Sequence, residues 1–212
     1  MKTSPAPSGN RILIIDDNAS IHEDFRRILG REQDRNVGLD LIKAQVLGEA
    51  SAASPHSGFV MDSAFQGQEG LAMAQRAVEE DHPYALAFVD VRMPPGWDGV
   101  ETIVHLWKCC PELQIVVCSA YSDYSWEEMI HQVGHSPNLV VLQKPFDNVE
   151  VLQLAHALTE KWRLNRKLQS QMEDLETMVR QRTAELEAAN KSLKREIAER
   201  SKFEHVVQAI LK

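Results

Sequence analysis

The sequence predicts an α/β fold, a doubly wound five-stranded parallel sheet, followed by a long C-terminal α-helix that forms a coiled coil. Short Val- and Ile-rich runs alternate with segments of helical spacing through the first two thirds of the chain. Three of those runs are apolar throughout, as expected of strands covered on both faces. All ten glycines and all nine prolines lie before Phe146, and residues 147–212 contain neither. Leu, Glu, Lys, Arg, Gln and Ala dominate that last stretch, and these residues lose little on entering a helix.

In chain order, residues 1–10 (MKTSPAPSGN) lack the apolar core of a signal peptide and read as a disordered N-terminus. The main domain is placed at 11–146. It opens with the strand ILII (Ile12 to Ile15), which ends on Asp16-Asp17, and a helix is expected over Ile21 to Leu29. Residues 31–58 are too many for an ordinary helix-to-strand loop and read as a surface insertion. In it, LDLIKAQVLG has the spacing of a short helix and SAASPHSG that of a loop. FVMDSA (Phe59 to Ala64) is the second strand, with a helix over Gly67 to Val78. The third strand, ALAFV (Ala85 to Val89), runs into Asp90 and the turn MPPGWDG, before a helix over Val100 to Cys109. QIVVCS (Gln114 to Ser119) is the fourth strand, Trp126 to Val133 the next helix and LVVL (Leu139 to Leu142) the fifth strand, which leads to Lys144-Pro145-Phe146.

Bulk properties exclude several classes of function. The chain's 212 residues suit one ordinary domain with something added. No apolar run approaches the ~20 residues that span a bilayer, so no membrane partner is expected. Cys109, Cys110 and Cys118 make no disulfide framework and read as reduced thiols of a cytoplasmic protein. From Asp147 onward the charge is +1, of a total of −8, so the preceding part carries −9. An acidic domain with no dense basic block argues against nucleic-acid binding.

The strand ends carry the chemistry, because ligand sites of doubly wound sheets form at the carboxyl ends of the strands. The first strand delivers Asp16-Asp17, the third Asp90, the fourth Ser119-Ala120 and the fifth Lys144-Pro145. Three carboxylates on one rim repel, and some stay protonated unless a cation sits among them. Hard oxygen ligands with open positions suit Mg²⁺, which shares phosphate oxygens. A lysine and a hydroxyl opposite the metal complete a cradle for a phosphoryl group.

With these residues the sequence resembles the receiver domains of two-component response regulators, of CheY-like fold. The likeness runs over roughly Arg11 to Leu158, the insertion excepted. RILIIDDN is similar to the family's first strand and acidic pair, and FVDVRMP to the strand of the phosphorylated aspartate. VVCSA matches the strand with the Ser/Thr switch, LQKPF the final Lys-Pro, whose peptide is usually cis, and AFQGQEGL the start of the second helix. The resemblance implies that Asp90 is the phosphoacceptor and that Asp17, Asp90 and the backbone carbonyl of Arg92 ligate Mg²⁺, with Asp16 acting through water. It assigns Ser119 and Lys144 to phosphoryl oxygens. It further implies a sensor histidine kinase or phosphotransfer protein as partner, and a domain that catalyses its own phosphotransfer and dephosphorylation rather than turning over another substrate. Two features depart from the family pattern. MPPGWDG is one residue longer than the usual MPxxDG and carries Trp97, and Val141 stands where an aromatic usually rotates on activation. Arg92 and Tyr121 flank the expected path of attacking water, so the acyl phosphate should be long-lived.

A metal-dependent phosphatase of the haloacid-dehalogenase type is the enzymatic alternative. It needs a second Asp two residues after the nucleophile as acid/base, and that position is Arg92. His22 and His205 lack the surroundings of kinase phosphoacceptor histidines and read as surface residues.

In residues 147–212 a seam with steps of three and four runs Val151, Leu154, Leu158, Lys161, Asn165, Leu168, Met172, Leu175, Val179, Arg182, Leu186, Ala189, Leu193, Glu196, Arg200, Phe203, Val207, Ile210. A sustained seven-residue repeat predicts a left-handed coiled coil, and a parallel homodimer is expected because an output module would need two copies brought together. An antiparallel hairpin is the alternative, with no Gly or Pro to make its turn. RTAELEAANKSLKREIAER resembles the signalling-helix linkers that join receiver modules to output domains. The alternative is a free-standing receiver that acts by protein–protein interaction.

Overall fold

The computed structural model of the chain describes residues 9–30, 58–120 and 133–210, without the side chains of 196 and 198–210. The expectations for residues 31–57, Tyr121, the helix starting at Trp126, and the side chains of Glu196, Arg200, Phe203, His205, Val207 and Ile210 lie outside the described residues.

Five strands, β1 (Arg11–Ile15), β2 (Val60–Ala64), β3 (Leu86–Asp90), β4 (Gln114–Ser119) and β5 (Leu139–Gln143), form one parallel sheet in the order β2-β1-β3-β4-β5. Helix α1 covers 19–30, α2 is Gly67–Glu79, α3 is Gly99–Cys109 and α4 is Asn148–Ile210.

The two-residue period of a strand sorts alternate side chains to opposite faces. Leu13, Ile15, Ala87, Val89, Ile115 and Val117 join Ala74 and Ala77 of α2 and Val100, Ile103 and Leu106 of α3 in one core. Ile12, Ile14, Leu86, Phe88, Val116 and Cys118 face the other way, against Phe25, Ile28 and Leu29 of α1 and Val151, Ala155 and Leu158 of α4. Helices on both faces explain why β1 and β3 are continuous apolar runs. The same expectation for the fifth run holds less well. Val140 and Val141 are half-buried, because β5 is an edge of the sheet, whereas β4, with a Gln and a Ser at its ends, is buried along its whole length.

Away from the carboxyl ends, Arg11 ties β1 to β2 and to the segment just before β3. Its guanidinium meets Asp62 at 2.6 Å, and the Tyr84 hydroxyl donates to the same carboxylate oxygen at 2.8 Å.

Two boundaries differ from those expected. Gly9 and Asn10 belong to the ordered fold rather than to a disordered N-terminus. Asn10 donates from its side chain to the Gly58 carbonyl and accepts the Val60 N–H, and Gly9 stands against the Trp162 ring. At the other end the first compact unit runs to Leu164 and the second is Asn165–Lys212. Val151, Ala155, Leu158 and Trp162 are all buried, so the first turns of α4 complete the core instead of leaving it at Phe146. Lys161, expected in the coil seam, instead donates to the Pro137 carbonyl at 2.5 Å and to Asn138 Oδ1 at 3.1 Å. The backbone is one helix from Asn148 to Ile210, not a hairpin. Along its second part Leu168, Met172, Leu175, Val179, Leu186 and Leu193 are exposed. No described helix is long and apolar enough to cross a membrane.

Candidate functional site

The order of the sheet reverses at β1, which has β2 on one side and β3 on the other. The crevice at such a reversal opens at the carboxyl ends of the strands. Asp16 follows the last residue of β1 and Asp90 is the last residue of β3. The two strands are neighbours, with Ile15 opposite Val89. Pairing alone therefore brings together two acids that are far apart in sequence.

Each strand end is held by its neighbours. The Asp16 N–H donates to Ala64 and the Val91 N–H to Cys118. The Lys144 N–H donates to the Ser119 carbonyl at 2.8 Å, which sets the lysine beside β4. The Lys144–Pro145 peptide is cis, as is Pro94–Pro95.

From that position the ammonium reaches both acids, at 2.9 Å from Asp16 Oδ2 and 2.6 Å from Asp90 Oδ1. The remaining oxygens accept backbone N–H groups. Asn18 donates to Asp16 Oδ1 at 2.9 Å and Arg92 to Asp90 Oδ2 at 3.1 Å. Asp17 is exposed, and one carboxylate oxygen from each of Asp16, Asp17 and Asp90 falls within a group spanning 4.8 Å.

One ammonium thus serves a cluster of three carboxylates. Burial raises the Asp90 carboxyl above its ordinary value, and the hydrogen bond and charge of Lys144 only partly oppose this. For Lys144 burial acts to lower the pKa, but hydrogen bonds to Asp90 and Asp16, with their charges, outweigh it and raise the group. Among the described residues Lys144 is the cation bonded to Asp16 and Asp90, against three carboxylates. A divalent cation with oxygen ligands fits that deficit, and Asp16, Asp17 and Asp90 are the side chains that would hold it.

The loop after β3 is shaped by Gly99 and Trp97. A Cβ at Gly99 would lie 2.3 Å from the Asp90 carbonyl oxygen and 2.9 Å from Val91 Cα, so only glycine lets α3 start this close to the end of β3. Asp98 caps the helix, its Oδ1 accepting the Glu101 N–H at 2.8 Å. Trp97, carried by the longer loop, stacks on His105 with ring centroids 4.2 Å apart.

No family model matches the chain, and no curated protein matches it. Solved structures do. A CheY-like response regulator receiver domain protein from Methanospirillum hungatei JF-1 aligns over 74% of this chain and 98% of its own, at 18% identity and a TM-score of 0.52. The N-terminal domain of a response regulator/sensory box/GGDEF 3-domain protein from Carboxydothermus hydrogenoformans covers 73% and 98% at 17% identity and 0.51. An adenylate cyclase structure from Rhodopirellula baltica covers 77% and 97% at 19% and 0.55. The fold is that of a CheY-like receiver domain.

Within this receiver fold Asp16, Asp17, Asp90 and Lys144 come together as the sequence implied. Ser119 closes β4 and is buried, with its hydroxyl donating to the Ala120 carbonyl at 3.1 Å. The Arg92 side chain is exposed beside the site. His22 corrects the sequence reading. It is no surface residue but 1% exposed, its Nε2 2.7 Å from the Asp16 carbonyl oxygen and its ring 4.7 Å from that of Phe65. Its position three residues before Phe25 places it on the buried side of the helix, and that was the available signal.

Proposed function

We propose that the chain is the phosphoacceptor receiver of a histidine-to-aspartate phosphorelay, taking a phosphoryl group onto Asp90 from a sensor histidine kinase or phosphotransfer protein. The observation that carries this reading is the Lys144 ammonium bonded to both Asp16 and Asp90, within a three-carboxylate cluster at the strand ends.

Mg²⁺, held by Asp16, Asp17, Asp90 and the Arg92 carbonyl, would neutralise the acids and share the phosphoryl oxygens. An Asp90 oxygen attacks the phosphorus of a phosphohistidine, the P–N bond breaks, and the departing imidazole takes a proton from solvent. Lys144 then exchanges one carboxylate for a phosphoryl oxygen. Ser119 turns its hydroxyl from Ala120 to another, which pulls the end of β4 toward Asp90. Arg92, exposed two residues on, stands in the way of water.

The exposed apolar positions from Leu168 to Val179 support a dimeric coiled coil as the output, joined to an output domain not contained in residues 1–212. The three free thiols are consistent with a cytoplasmic location.

The test is incubation of the full chain with acetyl phosphate, with and without Mg²⁺, read by intact mass. Asp90 should gain one phosphoryl group only with Mg²⁺, and Asp90→Asn should gain none. Equal labelling of that variant overturns the assignment.

A further inference from the structure

We infer that His22 is a positioning residue for the acidic pair, fixing the turn that carries Asp16 and Asp17 by donating its Nε2–H to the Asp16 carbonyl. This rests on the metal-binding reading of the site and adds a residue to it.

A carbonyl oxygen has no proton to give, so the nitrogen 2.7 Å from it must carry the hydrogen. The other nitrogen, Nδ1, is buried and has no hydrogen-bond partner among the described residues. An imidazole buried with one nitrogen idle is a poor way to fill a core, since a leucine of similar volume leaves no polar atom unpaired. What the ring supplies over leucine is one N–H aimed at Asp16. The Phe65 ring lies against it, and the bond is buried.

The bond completes the hydrogen bonding of Asp16. Its N–H goes to Ala64, Oδ1 accepts from Asn18, Oδ2 accepts from Lys144, and its carbonyl accepts from His22. That carbonyl belongs to the same rigid peptide plane as the Asp17 nitrogen. Holding the oxygen fixes the orientation of the plane, and so the direction in which Asp17 leaves it. Asp17 is the exposed member of the carboxylate cluster, and the direction of its backbone decides whether it stays within the 4.8 Å group.

The experiment uses the full chain. Calorimetric Mg²⁺ titrations are run on wild type, His22→Leu, which keeps the volume and removes the donor, and His22→Gln, whose amide carries a donor at similar reach. Thermal midpoints are measured without Mg²⁺. His22→Leu should bind Mg²⁺ about tenfold more weakly or worse, and His22→Gln close to wild type, without a matching order in the midpoints. Wild-type affinity in His22→Leu overturns the inference, as does a folded His22→Gln as weak as the leucine variant. If His22→Leu does not fold, His22→Asn, whose amide falls short, takes its place with the same expected outcomes. Nitrogen NMR of the wild type without metal should show the Nε2–H tautomer, and the Nδ1–H tautomer sinks the inference by itself. Failure of the metal reading looks different. The wild type then shows no saturable Mg²⁺ binding whatever stands at position 22, and both ideas fall.

Discussion

Gly99 and the carbonyl of Asp90 are in such close approach that a single methyl group on the glycine would meet the oxygen at 2.3 Å. The Gly99 N–H also donates to the Val91 carbonyl at 2.8 Å, so the start of α3 is fastened to the residue after the candidate phosphoacceptor. The Gly99→Ala variant should therefore lose about 1–3 kcal/mol of stability. It should also label at Asp90 more slowly than a variant equally destabilised elsewhere. Urea unfolding and acetyl-phosphate labelling check the pair, and an unchanged labelling rate removes the close approach from the site.

Asp90 should be a burden on the fold when no metal is bound. Its folded pKa lies above 3.8, the unperturbed value, so the native state holds the proton more tightly than the unfolded chain. The associated stability is present below that value and is lost as pH rises through the folded pKa. Stability of wild type relative to Asp90→Asn should consequently fall as pH rises above 3.8. Urea titrations at several pH values, with chelator, test this. A flat difference contradicts it.

Removing the shared ammonium should have the opposite dependence on metal. With Lys144→Gln two largely buried carboxylates lose their partner, and the thermal midpoint in chelator should fall by several degrees. Millimolar Mg²⁺ should restore more of that loss than it adds to wild type. Labelling should still be slower by a factor of roughly 10². Full-rate labelling would show that Lys144 has no part in the transfer.

Shortening the chain should separate folding from association. A chain ended at Leu164 keeps Val151, Ala155, Leu158 and Trp162 and should fold as a monomer, whereas one ended at Phe146 lacks all four and should not fold. In the full chain, Leu168→Asp with Leu175→Asp should abolish dimerisation and leave the first unit's melting unchanged. Light scattering and thermal melts decide both. A dimer from the shorter chain would place the contact elsewhere.

The strands were legible in the sequence because parallel strands buried on both faces need uninterrupted apolar runs, and the acids were legible because they ended those runs. Features set by neighbours were not. The same run of valines serves as a covered strand or as the edge strand β5, and nothing local distinguishes them. His22 was misread because its burial comes from Phe65 and the Asp16 carbonyl, brought there by two strands. Lys161 fits the seven-residue repeat, yet its partners are the backbone of Pro137 and the side chain of Asn138, whose approach only the folded sheet creates. The boundary at Phe146 falls short of the compact unit, which reaches Leu164, although the family likeness already extended to Leu158. Composition changes at Phe146, but a helix can leave the glycines and prolines behind and still be needed for packing.

That late completion of the core has a consequence for synthesis. The sheet face bearing Ile12, Ile14 and Phe88 is covered in part by Val151, Ala155 and Leu158, and Trp162 comes later still. A nascent chain that has emerged only to Phe146 still presents part of that face to water, so the first unit cannot close until the opening turns of α4 follow it. The residues that would pair two copies begin at Leu168, a turn and a half beyond Trp162. Emergence along the chain therefore orders the two events, closure of each globular unit first and contact between copies second, and newly made chains have little opportunity to join through half-folded domains.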